Sequence, residues 1–221
     1  MRLYTATTSC VLESDVTLSR RTFVGSAFAF ATAVGLGAVA APNGAQAANY
    51  ALGDMVIGDE NAAITIIEYA SFTCPHCATF HEETLPRLKE AWIDTGKAKL
   101  IFRDFPFDEM ALRASMLARC AGPDRYFTFV DVLFKQQRQW ARSQDPVAAL
   151  GRIARLGGIN GAEFEACMAD QELGDSVLRT RLEGAQKYDV RATPTLIING
   201  EKHAGAMRFE EMDSLLRKLS P

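Results

Sequence analysis

Residues 62–77 read AAITIIEYASFTCPHC. Residues 62–69, apart from Glu68, form a run of β-branched and apolar side chains, the pattern of a strand buried on both faces. The run passes through Ala70 to Thr73 straight into Cys74-Pro75-His76-Cys77. A helix is expected there: Pro75 suits a first turn, where its missing N–H would be unpaired anyway, and Cys77, Phe80, Thr84, Leu88 and Trp92 recur at helical spacing. Gly96 stops the element and Pro86 should kink it. Residues 98–103 then read as a second strand, so strand, helix and strand make a parallel βαβ unit.

Downstream the period becomes helical from Asp108 to Tyr188. One helix runs from Met110 to Ala121 and closes on Gly122-Pro123. The next carries Tyr126, Phe129, Val130, Leu133 and Phe134. Asp145-Pro146 opens a third, ended by Gly157-Gly158, and Asn160 with Glu163 reads as a capping box. Leu173, Val177, Leu178, Leu182 and Ala185 are expected to line one face of a further helix. After it, residues 195–204 form a hairpin around Asn199-Gly200, the favoured two-residue turn, and a last helix over 209–219 covers the sheet. Met116, Phe127, Phe129, Phe134 and Trp140 fall at core spacing, so they need no cofactor to explain them.

Two cysteines separated by two residues at a helix start can close a small ring and reopen it with little movement. Cys74 would sit at the helix N-terminus, where free N–H groups and the macrodipole favour an anion. His76 adds a donor or cation beside the sulfur. A thiolate exists only in the reduced form, so each unit of pKa below 7 favours reduction by about 1.4 kcal/mol, or about 30 mV for a two-electron couple. A strongly acidified Cys74 therefore makes the Cys74–Cys77 disulfide an oxidant. The competing reading is half a zinc site, but Cys120 and Cys167 have no close ligand partners; His81, four residues after Cys77, keeps a Cys/Cys/His site open.

The remaining features concern compartment and partners. The chain has 221 residues, 48% apolar and 23% charged, with five cysteines, which excludes collagen, low-complexity disorder and a knottin-like scaffold. A net charge of -3 with no long Lys/Arg run provides no electrostatic footprint for a nucleic acid. Residues 19–25, SRRTFVG, precede 20 uncharged residues from Thr22 to Ala41, and Ala45-Gln46-Ala47 follows. This reads as a signal peptide over 1–47, twin-arginine-like and cleaved after Ala47, with Sec export as the alternative. An uncleaved anchor is the other reading of such a length, though an Ala/Gly-rich segment would be held weakly in hydrocarbon. Cleavage removes Cys10 and leaves Cys74, Cys77, Cys120 and Cys167, an even number that fits disulfide chemistry outside the cytosol.

EYASFTCPHC after a strand, a helical block, and then ATPTLIING resemble a DsbA-type periplasmic thiol:disulfide oxidoreductase across about residues 50–221. The resemblance implies an α/β, thioredoxin-like fold with an inserted helical subdomain. Residues 48–107 would be its first part, 108–188 the insertion, and 189–221 the second part with a cis-proline loop. It further implies Cys74 as exposed nucleophile, Cys77 as buried resolving thiol, His76 as thiolate stabiliser and Glu68 as a buried acid beneath the site. Pro194 would be cis and would present the Thr193 backbone to a client strand, with Pro75 also at the client-binding surface. The family's acidic residue four places after the second cysteine is missing, because His81 stands there. Plainer roles stay open: Glu68 as a structural acid, Pro194 as an ordinary trans proline, His81 and His203 as surface histidines. Cys120 and Cys167 are expected to form a structural disulfide, since each lies on an apolar helix face and neither has another partner once Cys74 and Cys77 pair. Two buried free thiols are the alternative.

The function implied is a protein dithiol oxidase that donates its disulfide to reduced, unfolded exported proteins. A quinone-linked membrane partner of the DsbB kind would reoxidise it; the chain would be a monomer and need no cofactor or metal. Two other readings compete. One is an isomerase or reductase of the same fold, for which the short stretch between Ala48 and the first expected strand leaves no room for a dimerisation domain. The other is a Cu(I)-binding module built on Cys74, Cys77 and His81.

Overall fold

The computed structural model describes residues 50–220. The expected leader, with Arg20, Arg21 and the cleavage point after Ala47, lies outside them. Five strands form one sheet in the order β1-β3-β2-β4-β5. At its centre β2 (Ile64–Ala70) and β3 (Ala98–Asp104) run parallel, with Glu68 opposite Phe102 and Ala70 opposite Asp104. The strand β4 (Thr195–Ile198) pairs antiparallel with β2, and β5 (Glu201–Ala204) extends the edge through the Asn199-Gly200 turn. Both turn residues have positive φ, 47° and 93°, as the two-residue hairpin turn that matches strand twist requires. The strand β1 (Met55–Ile57) pairs antiparallel with β3 and is an addition to the sequence reading. Three residues are too few for an alternation to show.

The helical stretch after β2 is α1 (Pro75–Thr79), a π-turn over Phe80–Thr84, α2 (Leu85–Leu88) and a second π-turn over Lys89–Ile93. Its buried residues Cys77, Phe80, Thr84, Leu88 and Trp92 explain this form. From Phe80 onward they recur every four residues, and a pure α-helix would carry each about 40° past the last. Wider π-turns take up that drift and keep all of them facing the sheet. Pro86 falls in the first turn of α2, where a π-turn ends, so the missing N–H is accommodated.

The helical block contains α3 (Glu109–Cys120), α4 (Tyr126–Lys135), α5 (Gln137–Ala141), α6 (Pro146–Leu156), α7 (Gly161–Ala169) and α8 (Gln171–Tyr188); α9 (Phe209–Leu219) closes the chain. The capping box of Asn160 and Glu163 is formed in both directions. One sheet face, with Ile64, Ile66, Leu100, Leu196 and Ile198, packs on Phe80, Leu88 and Trp92 and on Met212 and Leu216 of α9. The other face, with Ile67, Tyr69 and Ile197, packs on Phe105 and Val190 under the end of α8. Among the described residues no helix is long and apolar enough to cross a membrane.

The stripe that α8 buries differs from the expected one. Leu173, Gly174, Val177 and Gly184 face inward, while Leu178 and Leu182 are 39% and 54% exposed. The reason is a close approach: a Cβ on Gly184 would lie 2.4 Å from the Tyr69 ring, so the helix turns Gly184 to the sheet and leaves Leu178 and Leu182 outward. The insertion is fastened to the sheet by a buried ion pair, with Arg119 Nε donating to Asp104 Oδ2 at 2.7 Å. Arg119 Nη1 also donates to the carbonyls of Ala51 and Gly53 and so holds the segment before β1.

Candidate active site

Strand β2 ends at Ala70 and delivers Cys74 to the N-cap of α1, in an extended conformation with φ -78° and ψ 118°. The Cys74 N–H donates to Ser71 O, and its carbonyl accepts from Ala78 N–H. Both active-site cysteines are free thiols, Cys74 half-buried and Cys77 buried. Cys74 Sγ lies 3.2 Å from the carbonyl of Thr193, to which its thiol donates. The Thr193-Pro194 peptide is cis, and this loop leads directly into β4, so the sheet's antiparallel pairing brings residue 193 to residue 74.

The two sulfurs differ in acidity. A hydrogen bond from the Cys77 thiol, helped by the N–H groups of Cys77 and His76, outweighs partial burial and lowers the Cys74 pKa to about 5. Burial pushes Cys77 well up, and hydrogen bonding to Cys74 and the nearby charge of Glu68 act in the same direction. The sequence pointed to the His76 ring as a stabiliser of the thiolate. The structure leaves that side chain exposed, and the backbone N–H of His76 is what reaches the sulfur. Pro75 is exposed beside it at the first helical position.

Glu68 is fully buried on the β2 face that meets the helix, as its alternation with Ile64 and Ile66 dictates. His81 is not the surface residue expected as one of the alternatives: it is 8% exposed. Its Nε2 lies 3.1 and 3.0 Å from the two carboxyl oxygens of Glu68. Its ring stacks on Phe134 of α4, with centroids 4.1 Å apart. Burial follows from position, because His81 lies one turn after Cys77 where the helix crosses the insertion. Among the described residues no cluster of three or more His, Cys, Asp or Glu side chains is suited to a metal ion.

Two further residues support the loop. Thr73 Oγ1 donates to Asp108 Oδ2 at 2.6 Å, and Asp108 caps α3 through Ala111 N–H. Gln137 Nε2 donates to Phe72 O and Cys74 O at 2.8 and 2.9 Å. Neither was singled out in the sequence; Asp108 followed three residues later by Ala111 has the form of an N-cap, whereas nothing local marks Gln137. Within the insertion, Cys120 and Cys167 are joined as a disulfide that ties the end of α3 to α7, with Cα atoms 6.2 Å apart.

The family described as Thioredoxin matches residues 51–218. A putative protein-disulfide oxidoreductase of Rickettsia bellii is 34% identical over 148 residues, which are 66% of this chain and 57% of that protein. The chain thus spans little more than half the length of such curated relatives. Disulfide bond formation protein D of Bacillus subtilis is 25% identical over 170 residues, 75% of this chain and 77% of that one. The crystal structure of alpha-DsbA1 from Wolbachia pipientis superposes with a TM-score of 0.70 at 34% identity, covering 76% of this chain and 90% of the other. A family match over nearly all the described residues, joined to that likeness around a C-x-x-C helix facing a cis-proline loop, places the chain among the DsbA-type thiol:disulfide oxidoreductases of the thioredoxin superfamily.

Proposed function

We propose that this chain is an exported, periplasmic protein dithiol oxidase that donates the Cys74–Cys77 disulfide to reduced, unfolded clients. One arrangement carries the reading: Cys74 caps α1, with its sulfur 3.2 Å from the Thr193 carbonyl and the N–H groups of His76 and Cys77 turned toward it, which holds its pKa down to about 5. A stabilised thiolate favours the reduced enzyme, so the disulfide form gives up its bond readily.

A client thiolate attacks Cys74 Sγ of the disulfide, forming a mixed disulfide and releasing Cys77 as a thiolate. Burial and the charge of Glu68 make that thiolate take up a proton. In this reading Glu68, the buried acid paired with His81, relays that proton. A second client thiolate then attacks the client sulfur of the mixed disulfide and expels the Cys74 thiolate. A low pKa makes Cys74 a good leaving group, so this release is fast. Two electrons pass from client to enzyme, and the client leaves with a disulfide. The Thr193 backbone beside Cys74 would hold the client by main-chain hydrogen bonds, which favours a broad range of sequences.

Residues 48–107 and 189–221 form the catalytic thioredoxin-like part in this reading, residues 108–188 the insertion, and 1–47 a cleaved leader. The reduced enzyme acts as a monomer and needs an electron acceptor, for which the family resemblance suggests a quinone-linked membrane partner. Equilibration of the purified protein with glutathione buffers tests the proposal. An oxidising potential is expected, and a potential in the reducing range of thioredoxins would replace it with the reductase reading. Cys77→Ser should retain client adducts on Cys74, and Cys74→Ser should be inert.

A further inference from the structure

We propose that Gln137 is a positioning residue for the nucleophile, using its side-chain amide to hold the Cys74 backbone so that the N–H groups of α1 aim at the sulfur. The inference rests on the reading of Cys74 as the reacting thiol. Residues 71–74 span the gap between strand and helix and have few backbone hydrogen bonds of their own. Cys74 N–H donates to Ser71 O, but the Phe72 carbonyl is satisfied from outside the loop. Gln137, buried and more than sixty residues away in the chain, supplies one donor to Phe72 O and the other to Cys74 O. Its amide has two protons, and both are used.

The grip on Cys74 O matters because that carbonyl sets ψ of the cap residue, 118°. The same torsion sets where the following peptide planes point. The N–H groups of His76 and Cys77, which contribute to the low pKa of Cys74, belong to those planes. The donor is itself well anchored. The chain breaks at Gln136 between α4 and α5, and Trp140, buried one turn later, donates its indole N–H to Leu133 O at 2.8 Å. An open cleft bordered by Thr73, Pro75, Gln137 and Arg138 lies alongside. Without the amide, water from this cleft can take the Phe72 carbonyl and the amide's place on the Cys74 carbonyl, which keeps its bond from Ala78 N–H. The loop would then relax without unfolding.

Gln137→Met keeps the length of the side chain and removes both donors, and Gln137→Asn keeps the donors but is one methylene shorter. Thiolate absorbance should place the Cys74 pKa about one unit higher in Gln137→Met, and the equilibrium with glutathione should shift about tenfold toward the disulfide form, near 30 mV. Gln137→Asn should fall between that variant and the wild type. In the wild-type protein, the Gln137 side-chain amide protons should exchange slowly and their NMR shifts should follow the Cys74 titration. A loss of stability in Gln137→Met with an unchanged Cys74 pKa, or wild-type amide shifts indifferent to that titration, would overturn the proposal. A wild-type Cys74 pKa near the free value would instead remove the oxidase reading, so the two failures are distinct.

Discussion

His81 Nε2 lies 3.0 Å from Glu68 Oε2, one helical turn beyond Cys77, in a position where both side chains are shielded from water. A buried polar pair of this kind costs most when only one partner is removed. His81→Phe is expected to destabilise the oxidised protein by roughly 1–3 kcal/mol, because it leaves the Glu68 carboxyl unpaired. Adding Glu68→Gln to it should recover part of that loss. Urea unfolding of the two single variants and the double variant measures the coupling; additive losses would show that the pair is not a unit. Glu68→Gln alone should lower the Cys77 pKa, since the Glu68 charge raises it, and should slow disulfide donation through loss of the proton partner.

The stability of the reduced protein should depend on pH through Cys74. Its folded pKa of about 5 lies below the ordinary value of 9.0. A depressed pKa contributes stability in full above the ordinary value, and that contribution is lost as pH falls through the folded one. At pH 7 the contribution has an upper bound of about 3 kcal/mol, reduced by the partial exposure of the thiolate. The oxidised protein has no such term. Reduced protein should therefore unfold at clearly higher urea than oxidised protein near neutrality, and the gap should narrow toward pH 5. A gap that stays constant over this range would refute the thiolate account.

Opening the second disulfide should weaken the insertion. Cys120 and Cys167 are 47 residues apart, and the chain-entropy model assigns a loop of that size about 4 kcal/mol at most. The variant with both cysteines replaced by alanine should lose about 2–4 kcal/mol of unfolding free energy. Mass spectrometry of the alkylated, unreduced wild-type protein should find no free thiol at either position. Four reactive thiols would contradict the bond.

Arg119 and Asp104 provide a second buried test. Arg119→Met strands the Asp104 carboxylate, whose Oδ1 already has no partner among the described residues. A loss of about 3–5 kcal/mol is expected, the usual cost of breaking a buried ion pair from one side. Pairing it with Asp104→Leu should restore much of the loss. Thermal melts of the two variants compare the outcomes.

The features legible in the sequence are those that depend on near neighbours. The apolar run of β2, the CPHC start of α1, the Asn199-Gly200 hairpin, the Asn160 capping box and the succession of helices from 108 to 188 all follow from local periodicity and turn chemistry. The leader reading over 1–47 is local in the same way and lies outside the described residues. What the sequence could not show depends on which elements meet. A three-residue β1 carries no period and exists because β3 offers it an edge. Leu173 and Val177 are buried as the apolar helical pattern implied, yet the contact between Gly184 and Tyr69 leaves Leu178 and Leu182 of the same pattern exposed. His81 could be read as a metal ligand or as a surface histidine until the crossing of helix and insertion placed it between Glu68 and Phe134. Gln137 carries no mark at all, since its role comes from two carbonyls some sixty residues earlier in the chain. The sequence by itself determined the reacting pair and the scaffold that presents it, because a cysteine at a helix start is defined by its immediate neighbours. Only the tertiary structure decided how that cysteine is held and which groups lie beneath it, because hydrogen bonds across a packed core join residues whose separation along the chain leaves no periodic trace.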